Sequence, residues 1–172
     1  MKYKDIPKYP RCKHKYNTRF FSLDITIQDF IAQGLNLEPE FQRPHIWTDE
    51  QRKLFVEHCL MGGIEVNRPI YFNGKYYGIS DSSDDFVLVD GKQRINSILM
   101  FLRNELEVFN GLLFKDIEPP LDNSLMLTIY INNLQSELEV LNWYKLLNFG
   151  GTPHSEEEKI KIENMIKQID DK

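Results

Sequence analysis

Five consecutive residues, Asp90-Gly91-Lys92-Gln93-Arg94, bring together a carboxylate, a permissive backbone position, an amide and two cations. A glycine here lets the chain turn tightly. Cations beside the start of a helix suit an anion. The first amides of a helix lack partners and carry partial positive charge, which favours phosphate. Arg94 can grip a phosphate with two parallel hydrogen bonds, and Lys92 adds a point charge. Asp90 suits a magnesium ion or an ordered water, and Gln93 suits the positioning of a nucleophile. Together these are the residue types that phosphate chemistry needs. The bland alternative is a plain turn, with Asp90 as helix N-cap and two solvated cations. On five residues alone, that alternative stands ahead.

The flanking sequence says what must position the motif. Phe86-Val87-Leu88-Val89 is a continuous apolar run and predicts a central strand. Ile95, Ile98, Leu99 and Leu102 fall at helical spacing and predict a helix over 93–102. Upstream, 19–25 alternates like a strand, and Thr26 reads as the N-cap of a short helix ending near Gly34. Pro39 and Pro44 make 37–47 extended or looped. Thr48-Asp49-Glu50-Gln51 is a capping box opening a helix to about Met61, with Leu54, Phe55 and Cys59 inward and Gly62-Gly63 as its stop. Asn73-Gly74, between aromatic-rich runs over 68–72 and 75–79, predicts a hairpin. Asn110-Gly111 predicts another. A late strand is expected over 125–131. Ser136 to Glu139 is a second capping box, opening a helix to about Phe149. Ser155 to Glu158 caps a last helix with Ile162, Met165, Ile166 and Ile169 inward.

Three blocks in this order resemble a known family. Leu37-Glu38-Pro39-Glu40-Phe41-Gln42-Arg43-Pro44-His45-Ile46-Trp47-Thr48 is similar to the P-x-F-Q-R-x-x-V-W segment of the ParB/sulfiredoxin-like superfamily. More narrowly, it resembles the branch typified by the N-terminal half of GmrSD-type modification-dependent restriction enzymes. The G-x-P-I stretch of that branch compares with 63–70. Its D-G-Q-Q-R signature compares with Asp90 to Arg94, Lys92 standing where the branch has glutamine. Its later L-N-x-x-G-T-x-L-S-x-x-E block compares with 147–158.

The resemblance implies a single α/β (α+β) domain, a ParB/sulfiredoxin-like mixed sheet with flanking helices. It implies nucleotide binding and magnesium-dependent nucleoside triphosphatase activity linked to bacterial or phage restriction and defence. Asp90 and Gln93 would then be catalytic, with Asp90 also the magnesium ligand. Arg43, Gly91, Lys92, Arg94, Asn148 and Thr152 would hold the nucleotide. Without the resemblance, Arg43 reads equally as a surface salt bridge, Asn148 to Thr152 as a helix end, and Trp47 as a packing anchor. His45 and His154 are isolated and make poor metal ligands. The sequence ends soon after the third block and holds no nuclease residues of the kind relatives carry, so autonomous cleavage is not expected.

Composition bounds the remaining choices. The 172 residues suit one domain, and a net charge of −5 argues against a basic coat for duplex DNA. Charge is uneven, however. Before Phe20 there are seven bases and one acid, Asp5. Residues 1–19 thus read as a basic arm ahead of a domain over 20–172. Lys8, Arg11, Lys13 and Lys15, interleaved with tyrosines, suit nucleic-acid phosphates, whereas the plain reading is a solvated extension. The two cysteines, Cys12 and Cys59, outline neither a disulfide framework nor a zinc site, and a reducing, cytoplasmic setting is expected. No signal peptide or membrane span is read. Two rivals to a triphosphatase follow: a non-catalytic module binding nucleic acid or a restriction/defence protein, and a phosphotransferase on the same fold.

Overall fold

The computed structural model describes residues 9–44, 46–63, 69–78, 85–149 and 156–170. The elements run β1 (His14–Arg19), α1 (Leu23–Ala32), α2 (Asp49–Leu60), β2 (Ile70–Gly74), β3 (Phe86–Asp90), α3 (Lys92–Leu102), β4 (Met126–Asn132), α4 (Glu137–Phe149) and α5 (Glu156–Asp170). The four strands form one mixed sheet in the order β1-β4-β2-β3. β1 pairs antiparallel with β4, β4 parallel with β2, and β2 antiparallel with β3. The protein is a mixed α/β domain, as expected.

Helices cover both faces of the sheet. On one face Phe20, Leu23, Ile27, Val56, Cys59, Ile98 and Phe101 pack with Ile70, Phe72, Leu88, Ile129 and Ile131. On the other, Leu141, Trp143, Tyr144 and Ile162 from α4 and α5 pack with Phe41 and Val89. β3 therefore sends Phe86 and Leu88 to one core and Val87 and Val89 to the other. That double burial is why its sequence is apolar throughout rather than alternating. Each such side chain contributes about 1.5–3 kcal/mol through burial.

β3 is nevertheless an edge strand, not a central one. Its free side is closed by the chain after α1. The Asn36 amide donates to the Phe86 carbonyl at 2.8 Å, and the Leu88 amide donates to the Asn36 carbonyl at 2.9 Å.

Several expected boundaries move. The first strand lies earlier, inside the stretch read as the basic arm, and α1 begins at Leu23. Thr26 is not its cap. Its hydroxyl is buried, 2.7 Å from that of Thr18 and 3.2 Å from the Ser22 carbonyl to which it donates. Asn73-Gly74 is not a hairpin turn, because both residues pair with β3, opposite Val87 and Phe86, and the turn falls at 75–78. The Asn73 side chain donates to the Leu134 carbonyl at 3.2 Å and accepts from the Leu134 amide at 2.8 Å, a tertiary use that holds it in the strand. Asn110-Gly111 does turn the chain, with positive φ at both residues, but between a single bridge of Val108 and Leu112. Leu54 faces solvent while Val56 takes the inward position on α2. Both capping boxes form, Thr48 with Gln51 and Ser136 with Glu139. The expected stops at 150–151 and the cap at Ser155 lie outside the described residues, as do His45 and His154.

Candidate functional site

At the junction of β3 and α3, Gly91 has φ +115°, and an added Cβ would lie 3.1 Å from Ile70 Cγ1. Both the left-handed backbone and the contact with β2 demand glycine. Gly91 itself occupies the N-cap position, and no side chain caps α3. Among the described residues, the first-turn amides therefore have no capping side chain. Asp90 is not the N-cap. Its Oδ2 instead accepts from Arg94 Nη2 at 2.7 Å across one helical turn. Arg94 Nη1 donates to the Pro69 carbonyl at 3.1 Å, which ties the turn to the start of β2.

The irregular segment after α1 lies over this turn and is fastened from both sides. Gln42 Nε2 donates to the carbonyls of Leu88 and Val89 at 2.9 and 2.8 Å. Gln93 Nε2 donates to the Pro44 carbonyl at 3.1 Å, and the Trp47 amide donates to Gln93 Oε1 at 3.4 Å. Gln93 is buried, and its amide is engaged by backbone at both ends. Lys92 Nζ donates to the Arg43 carbonyl at 3.2 Å and lies 3.3 Å from Glu38 Oε1. Trp47 packs edge-on against Phe55 of α2, ring centroids 5.3 Å apart.

Between segment and turn lies a cleft of about 70 Å³, lined by Gln42, Arg43, Trp47, Asn148 and the five residues from Asp90 to Arg94. A water needs about 10–15 Å³ of such space, so the cleft has room for a small group of roughly five heavy atoms. α4 closes the cleft with Asn148, whose Nδ2 donates to the Tyr144 carbonyl at 3.0 Å. Burial pushes the Tyr144 hydroxyl up to about 12. The charges of Glu158 and Asp90 push the same way, against the Arg43 guanidinium and a hydrogen bond from the Arg43 amide. Tyr144 is thus a neutral phenol at physiological pH.

The structure gathers Arg43, Asp90, Gly91, Lys92, Gln93, Arg94 and Asn148 around one cleft. Thr152 and Lys8 lie outside the described residues. Arg11, Lys13 and Lys15 are exposed and do not line the cleft. Gln42, Glu38 and Tyr144 had no place in the sequence-based site. Gln42 could have been found from its position beside Arg43, and Tyr144 from its place one helical turn before Asn148. Among the described residues Asp90 is the one carboxylate lining the cleft, Arg94 holds it, and no three His, Cys, Asp or Glu side chains cluster. A magnesium ion at Asp90 would take its remaining oxygens from water and phosphate.

The sequence profile of the GmrSD restriction endonuclease N-terminal domain matches residues 26–125. The chain belongs to this family. No curated protein and no solved structure matches it. The GmrSD N-terminal match takes in the Gln42–Arg43 segment and the whole β3–α3 turn, and stops before β4 and Asn148. Membership gives the protein a restriction-related role. No helix among the described residues is long and apolar enough to cross a membrane.

Proposed function

We propose that the cleft binds a nucleoside triphosphate by its terminal phosphate and supports its hydrolysis, on a variant of the ParB/sulfiredoxin-like fold. The observation that carries this reading is the meeting of Arg43, Lys92 and Asn148 at the uncapped start of α3. Residues 43, 92 and 148 come from three separate parts of the chain, yet they surround a space of phosphoryl size. The α3 amides and Lys92 hold the phosphate oxygens, and Arg43 closes over them. Arg94 keeps the Asp90 carboxylate fixed at the edge of the cleft. Asp90 there accepts a hydrogen bond from the attacking water. The water oxygen bonds to the terminal phosphorus as the bond to the bridging oxygen breaks, and Asp90 takes up the proton. Gln93 acts through Arg43, by fastening the segment that carries it. Magnesium enters as part of the substrate, chelated by its phosphates.

Nucleoside triphosphates added with magnesium test this reading through melting temperature and phosphate release. A ligand at 100 times its dissociation constant adds about 2.7 kcal/mol of stability. The expected result is a stabilisation and a phosphate release that both vanish in Arg43→Ala. Binding without release would reduce the site to a nucleotide sensor, and no stabilisation by any nucleoside triphosphate would overturn the reading.

A further inference from the structure

The strongest charge feature outside the cleft lies at the opposite edge of the sheet. β1 is the other edge strand. Lys15, Asn17 and Arg19 pair with Tyr130, Thr128 and Met126 of β4, and paired residues share a face. The opposite set, His14, Tyr16 and Thr18, pairs with Ile131, Ile129 and Leu127, which are buried in the core under α1 to α3. The Lys15 row therefore lies on the same face as α4 and α5, whose core takes in Val89, Tyr71 of β2 and, just ahead of β1, Cys12. Arg11, Lys13, Lys15 and Arg19 are all exposed, and among the described residues no carboxylate lies within ion-pair distance of any of them. There is no acid between residues 9 and 19, in a chain whose net charge is −5. Concentrating like charge on one line, unpaired, costs stability through self-repulsion, and an anionic partner relieves it.

We propose that this face binds the backbone of single-stranded nucleic acid. Residues two apart on a strand project about 6.8 Å apart on one face, and Lys15, Asn17 and Arg19 follow that repeat on β1, with exposed Lys13 just ahead of it. It is close to the separation of successive phosphates in an extended strand. A single row of cations suits one backbone. Duplex DNA presents two, and reading its groove takes a protruding helix or ribbon, which this face lacks among the described residues. Aromatic rings flank the row. The Tyr9 ring is exposed while its hydroxyl is fixed to the Leu146 carbonyl at 2.9 Å, and half-buried Tyr130 stacks on Tyr71 at 5.8 Å with 22° between planes. Rings held in this way offer bases a stacking surface at little ordering cost. The surface is separate from the phosphate cleft and does not depend on nucleotide hydrolysis there.

The test is fluorescence anisotropy of a labelled oligothymidylate with the full chain, at increasing salt. Single-stranded binding loses about 0.7 in log K per log salt for each phosphate contacted, so three to four contacts predict a slope of about −2 to −3. The joint variant Lys13→Glu, Lys15→Glu, Arg19→Glu should bind more than tenfold more weakly. Lys53→Glu and Lys115→Glu, cations elsewhere on the protein, should bind like wild type. Tyr9→Ala should lose fivefold or more, at unchanged melting temperature. Equal binding by the triple variant, a flat salt dependence, or tighter binding to a duplex of the same length would overturn the proposal. So would capture by anionic phospholipid vesicles without any binding to the oligonucleotide.

Discussion

The Lys92 ammonium lies 3.3 Å from the Glu38 carboxylate, so this largely enclosed cation of the β3–α3 cleft already has an anion beside it. Glu38 is 65% exposed in its side chain and Lys92 only 10%. A phosphate arriving at Lys92 must compete with a carboxylate that can swing into solvent. Glu38→Gln keeps the size and removes the charge. We expect it to bind nucleoside triphosphate about three- to tenfold more tightly, the equivalent of roughly 1 kcal/mol for a partly screened pair. Titration calorimetry at low salt measures this, and unchanged or weaker affinity would count against phosphate binding at Lys92.

Arg94 and Asp90 are both mostly buried and joined at 2.7 Å, and Arg94 also serves the Pro69 carbonyl. Removing the guanidinium by Arg94→Leu leaves two acceptors without that donor. The expected loss is about 1.5–3 kcal/mol of stability, which lowers melting by several degrees for a chain of this size. Asp90→Asn keeps an acceptor for Arg94 and should lose less. A double-mutant cycle between the two positions should show coupling of about 1 kcal/mol or more. Additive losses would mean that the pair contributes nothing beyond its separate parts.

Gln93→Leu tests the fastening of the 42–47 segment. Leucine fills similar space but leaves the Pro44 carbonyl and the Trp47 amide without their side-chain partner. The expected cost is about 1–3 kcal/mol. The near-ultraviolet signal of Trp47 should change, because its ring is set against Phe55 from this anchored position. Nucleotide affinity should fall with it, since Arg43 belongs to the same segment. If affinity survives while stability falls, Arg43 does not need the anchor.

Alkaline unfolding should involve Tyr144. Its folded value of about 12 lies above the ordinary 10 because burial disfavours the phenolate. Between these values the unfolded chain releases the proton and the folded chain keeps it. The contribution of Tyr144 is therefore constant below about pH 10 and declines as pH rises toward 12, by up to roughly 2–3 kcal/mol. Tyr71 and Tyr77, also raised by burial, add to the decline. Tyr144→Phe should flatten it in chemical-denaturation curves taken from pH 9 upward. An equally steep decline in Tyr144→Phe would place the effect on other groups.

The sequence carried the local parts of this site well. The apolar run before Asp90, the helical stripe after it and the two capping boxes depend on neighbours in the chain, and the structure shows them where expected. Long-range partners were not legible. Nothing near Asn73 announces that Leu134 will hold its side chain, so the Asn-Gly pair read as a turn. Thr26 looked like a helix cap because its buried partner, Thr18, lies on a strand expected elsewhere. The apolar β3 sequence reports burial on two faces, and burial alone does not distinguish a central strand from an edge that other chain covers. Glu38 and Gln42 touch the site only because the segment after α1 folds back over β3.

That fold-back also guards the protein against its own kind. Each end of a sheet presents unpaired backbone groups on which another chain can add as a further strand. At the β1 end, Lys15 and Arg19 resist such addition by charge repulsion. At the β3 end the strand is Phe-Val-Leu-Val, as prone to cross-molecule pairing as any in the chain, and its shield is peptide: Asn36 along the ladder and Gln42 over the last two carbonyls. Damage to that shield, as in Gln42→Ala, uncovers a sticky template, and precipitation in concentrated solution would start from there rather than from the charged edge.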